Sequence, residues 1–71
     1  MELYRCTGRS SGARKAYAAA RFEAQRRSVP MLVIRKLGPD DAFAVIAESD
    51  SVPAGFNVSG IVEPDGNTIP A

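Results

Sequence analysis

The chain has 71 residues, a formal net charge of +1, hydrophobic and charged fractions of 45% and 24%, one cysteine and no histidine. This length corresponds to a single domain. A lone cysteine excludes an internal disulfide, and the absence of histidine leaves too few Cys or His ligands for a structural zinc site. We therefore expect no metal, and stability must come from a compact core or from self-association.

The N-terminal residues do not form a basic segment followed by an apolar run, so the sequence predicts no secretory signal peptide. The longest apolar stretch, from Val29 to Ile34, is too short to span a bilayer. With a single thiol in the chain, these features predict a cytoplasmic protein that does not bind membranes.

The charged residues are distributed unevenly along the chain. All nine basic residues lie in residues 1–36 beside only two acidic ones, which gives this half a net charge of +7. Residues 37–71 contain six acidic residues and no basic one, a net charge of −6. Either the halves neutralise each other within the domain, or they form separate patches that meet other molecules.

The first predicted elements are a strand, a turn and a helix. Residues 1–6 alternate imperfectly between apolar and polar and predict a short strand. Residues 7–12 have the sequence T-G-R-S-S-G and predict a turn whose Ser10 or Ser11 caps the next helix. Residues 13–27 hold six alanines and neither glycine nor proline, which predicts a helix over this range.

The predicted helix has one face of small residues. At about 100° per residue, that face collects Ala13, Ala16, Tyr17, Ala20 and Ala24. Small side chains allow a helix to lie close to a sheet, with the tyrosine as the one large anchor. Phe22 falls roughly opposite, between alanines, and is a candidate for a second contact surface.

The remaining segments predict three strands. Residues 31–37 are apolar on both faces at their start, which is typical of a central strand. Residues 42–47 return from a turn at 38–41 to form a hairpin with it. Residues 56–62 alternate, with Phe56, Val58, Gly60 and Val62 on one side, and predict an edge strand.

These elements predict an α+β fold in one small domain spanning residues 1–66, followed by a loose C-terminal tail at 67–71. The order is β-α-β-β-β, with one helix packed on a three- to four-stranded mixed sheet. The first two strands are expected to pair in parallel through a right-handed crossover that contains the helix.

The candidate catalytic groups are weak. The chain has no histidine for general acid–base chemistry at neutral pH. Its carboxylate pairs, Asp40 with Asp41 and Glu48 with Asp50, lie in turn-like segments where such residues make local hydrogen bonds. Cys6 lacks a histidine base and is more typical of a small apolar side chain. We therefore predict that the protein is not an enzyme and binds no cofactor.

The charge layout predicts a small non-catalytic protein-binding module, an adaptor, assembly subunit or inhibitor of a larger complex, that uses segregated basic and acidic surfaces. The partner is another protein or a second copy of the chain. The residues predicted to bind it are Arg14, Arg21, Phe22 and Arg26 on the helix, and Asp40, Asp41, Glu48 and Asp50 on the acidic loops.

The alternative is binding of nucleic acid or phosphate by the basic half. A turn that leads into a helix offers unpaired backbone N–H groups, hydroxyls and cations to an anion. The residues predicted for this role are Arg9, Ser10, Ser11, Arg14 and Lys15. The turn does not match the phosphate-binding loop of nucleotide-hydrolysing enzymes, since its glycines are too close together and Ala13 replaces the required lysine.

Overall fold

The computed structural model describes residues 2–6, 11–39 and 41–71. Its elements in chain order are β1 (Tyr4–Arg5), α1 (Ser11–Arg27), β2 (Met31–Lys36), β3 (Ala42–Ala47), β4 (Phe56–Val62) and β5 (Thr68–Pro70). The strands form one sheet in the order β1-β3-β2-β4-β5, and every neighbouring pair is antiparallel. The α+β class, the single helix, the β2–β3 hairpin and the range of β4 are confirmed.

The predicted pairing of the first strand is wrong. β1 pairs with β3, through Tyr4 opposite Phe43 and Arg5 opposite Ala42, and not with β2. β1 and β2 run in the same direction because each is antiparallel to β3, which lies between them. Both edges of β2 are occupied, by β3 and β4. The sheet of the described residues is therefore antiparallel throughout and not mixed.

The described residues form five strands and not three to four, because a strand forms within the segment predicted as a loose tail. Thr68, Ile69 and Pro70 pair with Val62, Ile61 and Gly60. A tight turn returns the chain, with the Glu63 N–H donating to the Asn67 carbonyl at 2.8 Å. β4 is therefore an interior strand, and the prediction of an edge strand there is wrong.

A β-bulge breaks the predicted alternation in β4. Val33 of β2 lies opposite Gly60 and Ile34 lies opposite Val58, which leaves Ser59 as the extra residue. Beyond the bulge the faces exchange. Val58 and Ile61 pack in one hydrophobic cluster, while Val62 packs in the other against α1. The strict two-residue period is therefore wrong at this point.

α1 packs on the sheet through its alanines. Ala16, Ala20 and Ala24 are each 0% exposed, and they share a cluster with residues from three strands, among them Val33, Phe43 and Val62. Methyl groups are the smallest side chains that keep high helix propensity, so the helix axis can lie close to the sheet. The predicted packing face is confirmed.

Gly12 fixes how closely the start of α1 approaches β1, and Gly60 leaves room for the Tyr17 hydroxyl. A Cβ at Gly12 would lie 2.6 Å from the Tyr4 carbonyl oxygen, so only glycine lets the first helical turn rest on β1. A Cβ at Gly60 would lie 2.5 Å from the Tyr17 hydroxyl oxygen. That hydroxyl lies 3.1 Å from Ser59 Oγ and ties the middle of α1 to the bulge.

The opposite face of the sheet carries a second cluster built on Leu32, Ile34 and Ala44. β3 and β4 run in the same direction on either side of β2, so residues 48–55 form a crossover between them. The connection from β1 through α1 to β2 and the connection from β3 to β4 begin at strands that run in opposite directions. Each connection leads to a strand two positions closer to β5. The right-handed rule therefore places them on opposite faces. Under this rule residues 48–55 cross the face that α1 leaves uncovered, where Ile34 and Ala44 are fully buried.

The packing of α1 predicts that Ala20→Leu and Ala18→Leu differ sharply in stability. Ala20 is fully buried against the sheet, so added methyl groups force the helix away and cost about 1–3 kcal/mol. Ala18 is exposed on the same helix, and the same change there alters stability by less than about 0.5 kcal/mol. Urea denaturation of both variants measures the difference, and equal midpoints would contradict the alanine contact.

Candidate functional site

The solvent-facing side of α1 is strongly basic and carries one large apolar side chain. We define the outer helix face by its exposed residues, Arg14, Lys15, Ala18, Arg21, Phe22, Gln25 and Arg26. Phe22 is 65% exposed, the highest value among the exposed large hydrophobic residues of the described chain. At about 100° per residue, Arg21 flanks it on one side and Arg26 on the other. The face therefore presents an aromatic ring within a cationic surround.

One cation of the outer helix face has an ion-pair partner. Arg26 donates from Nη2 and Nε to the Glu23 carboxylate, at 2.7 and 3.3 Å. This hydrogen bond lowers the pKa of Glu23 and raises the pKa of Arg26. In the described part of the chain, Arg14, Lys15 and Arg21 make no ion pair.

A shallow groove of about 320 Å³ lies beside Phe22. Its walls are Arg21, Phe22 and Gln25 of α1 and residues 64–66 of the β4–β5 turn. The β4–β5 turn therefore extends the outer helix face, and Asp65 lines the same groove as Arg21.

The predicted acidic residues do not form one patch. Asp41 lies just before β3, whereas Glu48 and Asp50 follow its other end, about 20 Å away for a six-residue strand. Glu48 and Asp50 are exposed. Asp40 lies outside the described residues.

Asp41 is engaged inside the molecule. It accepts two hydrogen bonds from Arg35, from Nη2 at 2.7 Å and from Nε at 3.0 Å. The Arg35 guanidinium carbon also lies 5.2 Å from the centre of the Phe43 ring. The hydrogen bond from Arg35 lowers the pKa of Asp41. Among the described residues, this is the one ion pair that joins the basic and acidic halves.

The alternative anion site is described only in part. α1 begins at Ser11 and has no acidic residue in its first turn, and Arg14 and Lys15 are exposed there. Arg9, Ser10 and the Ser11 side chain lie outside the described residues. The observed features are compatible with an anion at this helix end.

A groove along the outer edge of β3 was not predicted from the sequence. We call it the β3-edge groove; its volume is about 390 Å³, and it is lined by Glu2, Tyr4, Ala19, Glu23, Arg27, Met31, Val45, Ile46, Ala47 and Asp50. Burial, followed by the nearby carboxylates of Glu2 and Glu23, raises the pKa of Tyr4. The three acids are far apart in the chain, so only the fold brings them together.

Cys6 is half-buried and packs against the cluster beneath α1. Its backbone N–H donates to the Asp41 carbonyl at 3.1 Å. Within the described ranges, no group of three or more Cys, Asp or Glu side chains is placed to hold a metal ion. None of the helical structure described is both long and apolar enough to cross a membrane.

Comparison with known proteins gave no match against family models, among curated proteins or among solved structures.

The Arg35–Asp41 pair predicts a specific pH dependence of stability. Because the folded pKa of Asp41 is depressed below its ordinary value of 3.8, the pair stabilises the fold above that pH. This contribution is lost as the pH falls through the folded pKa. The difference in urea midpoint between the wild type and Asp41→Asn should therefore be largest near neutral pH and shrink below 3.8.

Arg35→Gln serves as the matched control, since it removes the same two hydrogen bonds from the other side. In the Arg35→Gln background, Asp41→Asn should have little remaining effect at any pH. A wild-type minus Asp41→Asn difference that stays constant from neutral to acidic pH would contradict the assignment.

Proposed function

We propose that this protein is a small non-catalytic protein-binding module that docks through the outer helix face. Phe22 is the apolar anchor, and Arg14, Arg21 and Arg26 surround it with positive charge. The observation that carries the proposal is the 65% exposure of the Phe22 ring among exposed cations of α1, of which only Arg26 has an ion-pair partner in the described chain. An aromatic side chain ringed by arginine is the composition found at energetic centres of protein interfaces.

The charge distribution supports the same proposal. A single ion pair between the two halves leaves most of the basic surface uncompensated in the described residues. Such a surface accelerates encounter with an acidic partner and orients it before contact. The partner proposed is therefore a protein whose surface has an apolar cleft bordered by carboxylates. An adaptor, an assembly subunit and an inhibitor would all use this mode of binding.

The test compares Phe22→Ala with Leu37→Ala in affinity purification from the host, read by quantitative mass spectrometry. The two side chains are equally exposed, at 65% and 64%, but Leu37 follows β2 at the β2–β3 hairpin, away from the outer helix face. Loss of a central aromatic anchor should weaken binding by about 2 kcal/mol or more, roughly 30-fold in Kd. The partner should therefore disappear with Phe22→Ala and remain with Leu37→Ala.

Cross-linking at the two lysines of the chain tests independently which surface contacts the partner. Lys15 lies on the outer helix face, and Lys36 lies at the end of β2. An amine-reactive cross-linker should join the partner through Lys15 in preference to Lys36. Equal recovery of the partner by both alanine variants, or cross-links through Lys36 alone, would contradict docking on this face.

A second candidate function is binding of nucleic acid or phosphate near the start of α1. It is favoured by the absence of acidic residues in the first turn and by the exposure of Arg14 and Lys15. Phosphate contacts by such cations release counterions, so affinity falls steeply with added salt.

This candidate predicts an anisotropy increase for labelled random oligonucleotides at low salt. The double variant Arg14→Gln/Lys15→Gln should reduce the slope of log affinity against log salt by about one for each lost phosphate contact. The double variant Arg5→Gln/Lys36→Gln is the charge-matched control, since it removes two exposed cations from the strands. No anisotropy change at low salt removes this candidate and leaves the protein-binding proposal intact.

A further inference from the structure

We propose that the β3-edge groove binds an extended segment of another protein that carries lysine or arginine, which adds to the sheet beside β3. This surface is distinct from the outer helix face. It lies between the edge of the sheet and the opposite flank of α1, where Ala19, Glu23 and Arg27 form the wall.

The first support is an incompletely paired strand edge. β1 covers only the beginning of β3, opposite Phe43 and Ala42, although β3 continues to Ala47. The Asp41 carbonyl accepts the Cys6 N–H, so alternate residues from Asp41 onward turn their backbone polar groups toward the β1 side. Val45 is in that set, and its N–H and C=O have no strand partner among the described residues.

The second support is the position of the groove. Val45, Ile46 and Ala47 themselves line it, so a strand that pairs with this edge runs along the groove. Addition of an extended segment to an open sheet edge supplies backbone hydrogen bonds, and pockets for alternate side chains supply specificity. Every second side chain of the added segment then enters the groove.

The third support is the chemistry of the groove wall. Ala19, Met31 and Ala47 are apolar and fit the aliphatic stem of a long side chain. Glu2 and Asp50 line the groove without an ion pair in the described chain, and Tyr4 lines it with them. Arg27 also lines the groove without an ion pair in the described chain, so two unpaired carboxylates face one unpaired cation there. An aliphatic stem with a cationic end matches this excess of negative charge.

The occupant is a different protein and not a second copy. Apart from Arg5 in the two-residue edge strand β1, each basic residue in the described chain lies in α1 or in β2, which is paired on both edges, so a copy offers no long extended basic segment without unfolding. An acidic groove and a basic helix face on one small domain would instead let it hold two partners of opposite charge.

The test is an NMR titration of the isotope-labelled full chain with a short peptide of alternating valine and arginine. The control peptide has glutamate in place of each arginine. The arginine peptide should shift the amide signals of Val45 and Ala47 and slow hydrogen exchange at Val45, while the signals of Ala18 and Phe22 stay in place. Equal shifts with the glutamate peptide, or shifts outside the groove, overturn the proposal.

Paired variants test the charge recognition. Asp50→Asn and Glu48→Gln remove one exposed carboxylate each from the same loop, but only Asp50 lines the groove. Asp50→Asn should weaken the arginine peptide about 2- to 5-fold, the range of one exposed ion pair, and Glu48→Gln should not. Equal effects of the two variants overturn the proposal, as does a Val45 signal that moves with protein concentration in the absence of peptide.

Discussion

The contact between the alanine face of α1 and the sheet determines most of the other features of this structure. Ala16, Ala20 and Ala24 exclude all solvent while contributing only methyl groups, so the helix lies close to the sheet. Gly12 lacks the Cβ atom that would meet the β1 backbone and prevent this approach. Most apolar side chains of the helix lie on that buried face, so the exposed face carries mainly arginine and lysine, with one phenylalanine.

This arrangement also explains how the charge asymmetry of the chain becomes a surface property. The basic residues of α1 point outward because the alanines point inward. Of the basic residues on the strands, Arg35 is neutralised by Asp41 at the start of β3. Two charged surfaces are therefore accessible to solvent. One is the cationic outer helix face, and the other is the β3-edge groove, which has three acidic residues and one arginine.

The sequence predicted the elements well and their arrangement poorly, for a physical reason. The helix, the hairpin and β4 follow from local composition and from turn residues. The neighbours of a strand do not: residues 42–47 are apolar on both faces, which fits a position between two strands but does not name the second one. β5 has three residues, all exposed and one of them a proline, and it forms because β4 offers an unpaired edge and a tight turn returns the chain to it.

The candidate site divides in the same way. The position of Phe22 opposite the alanines is a matter of helical period, so the sequence predicted its exposure. The distance between Asp41 and Asp50 depends on the length and direction of β3. The hydrogen bonds from Arg35 to Asp41 depend on the register of the β2–β3 hairpin. The β3-edge groove joins residues near positions 2, 23 and 50, which no local pattern relates.

The most direct test of the central claim is NMR with a soluble paramagnetic agent, which broadens the signals of accessible protons. The account predicts strong broadening of the Phe22 ring and of the Ala18 methyl, with the Ala16, Ala20 and Ala24 methyls protected. Equal broadening of the two sets of methyl groups would show that α1 does not rest on the sheet through its alanines, and it would contradict the account.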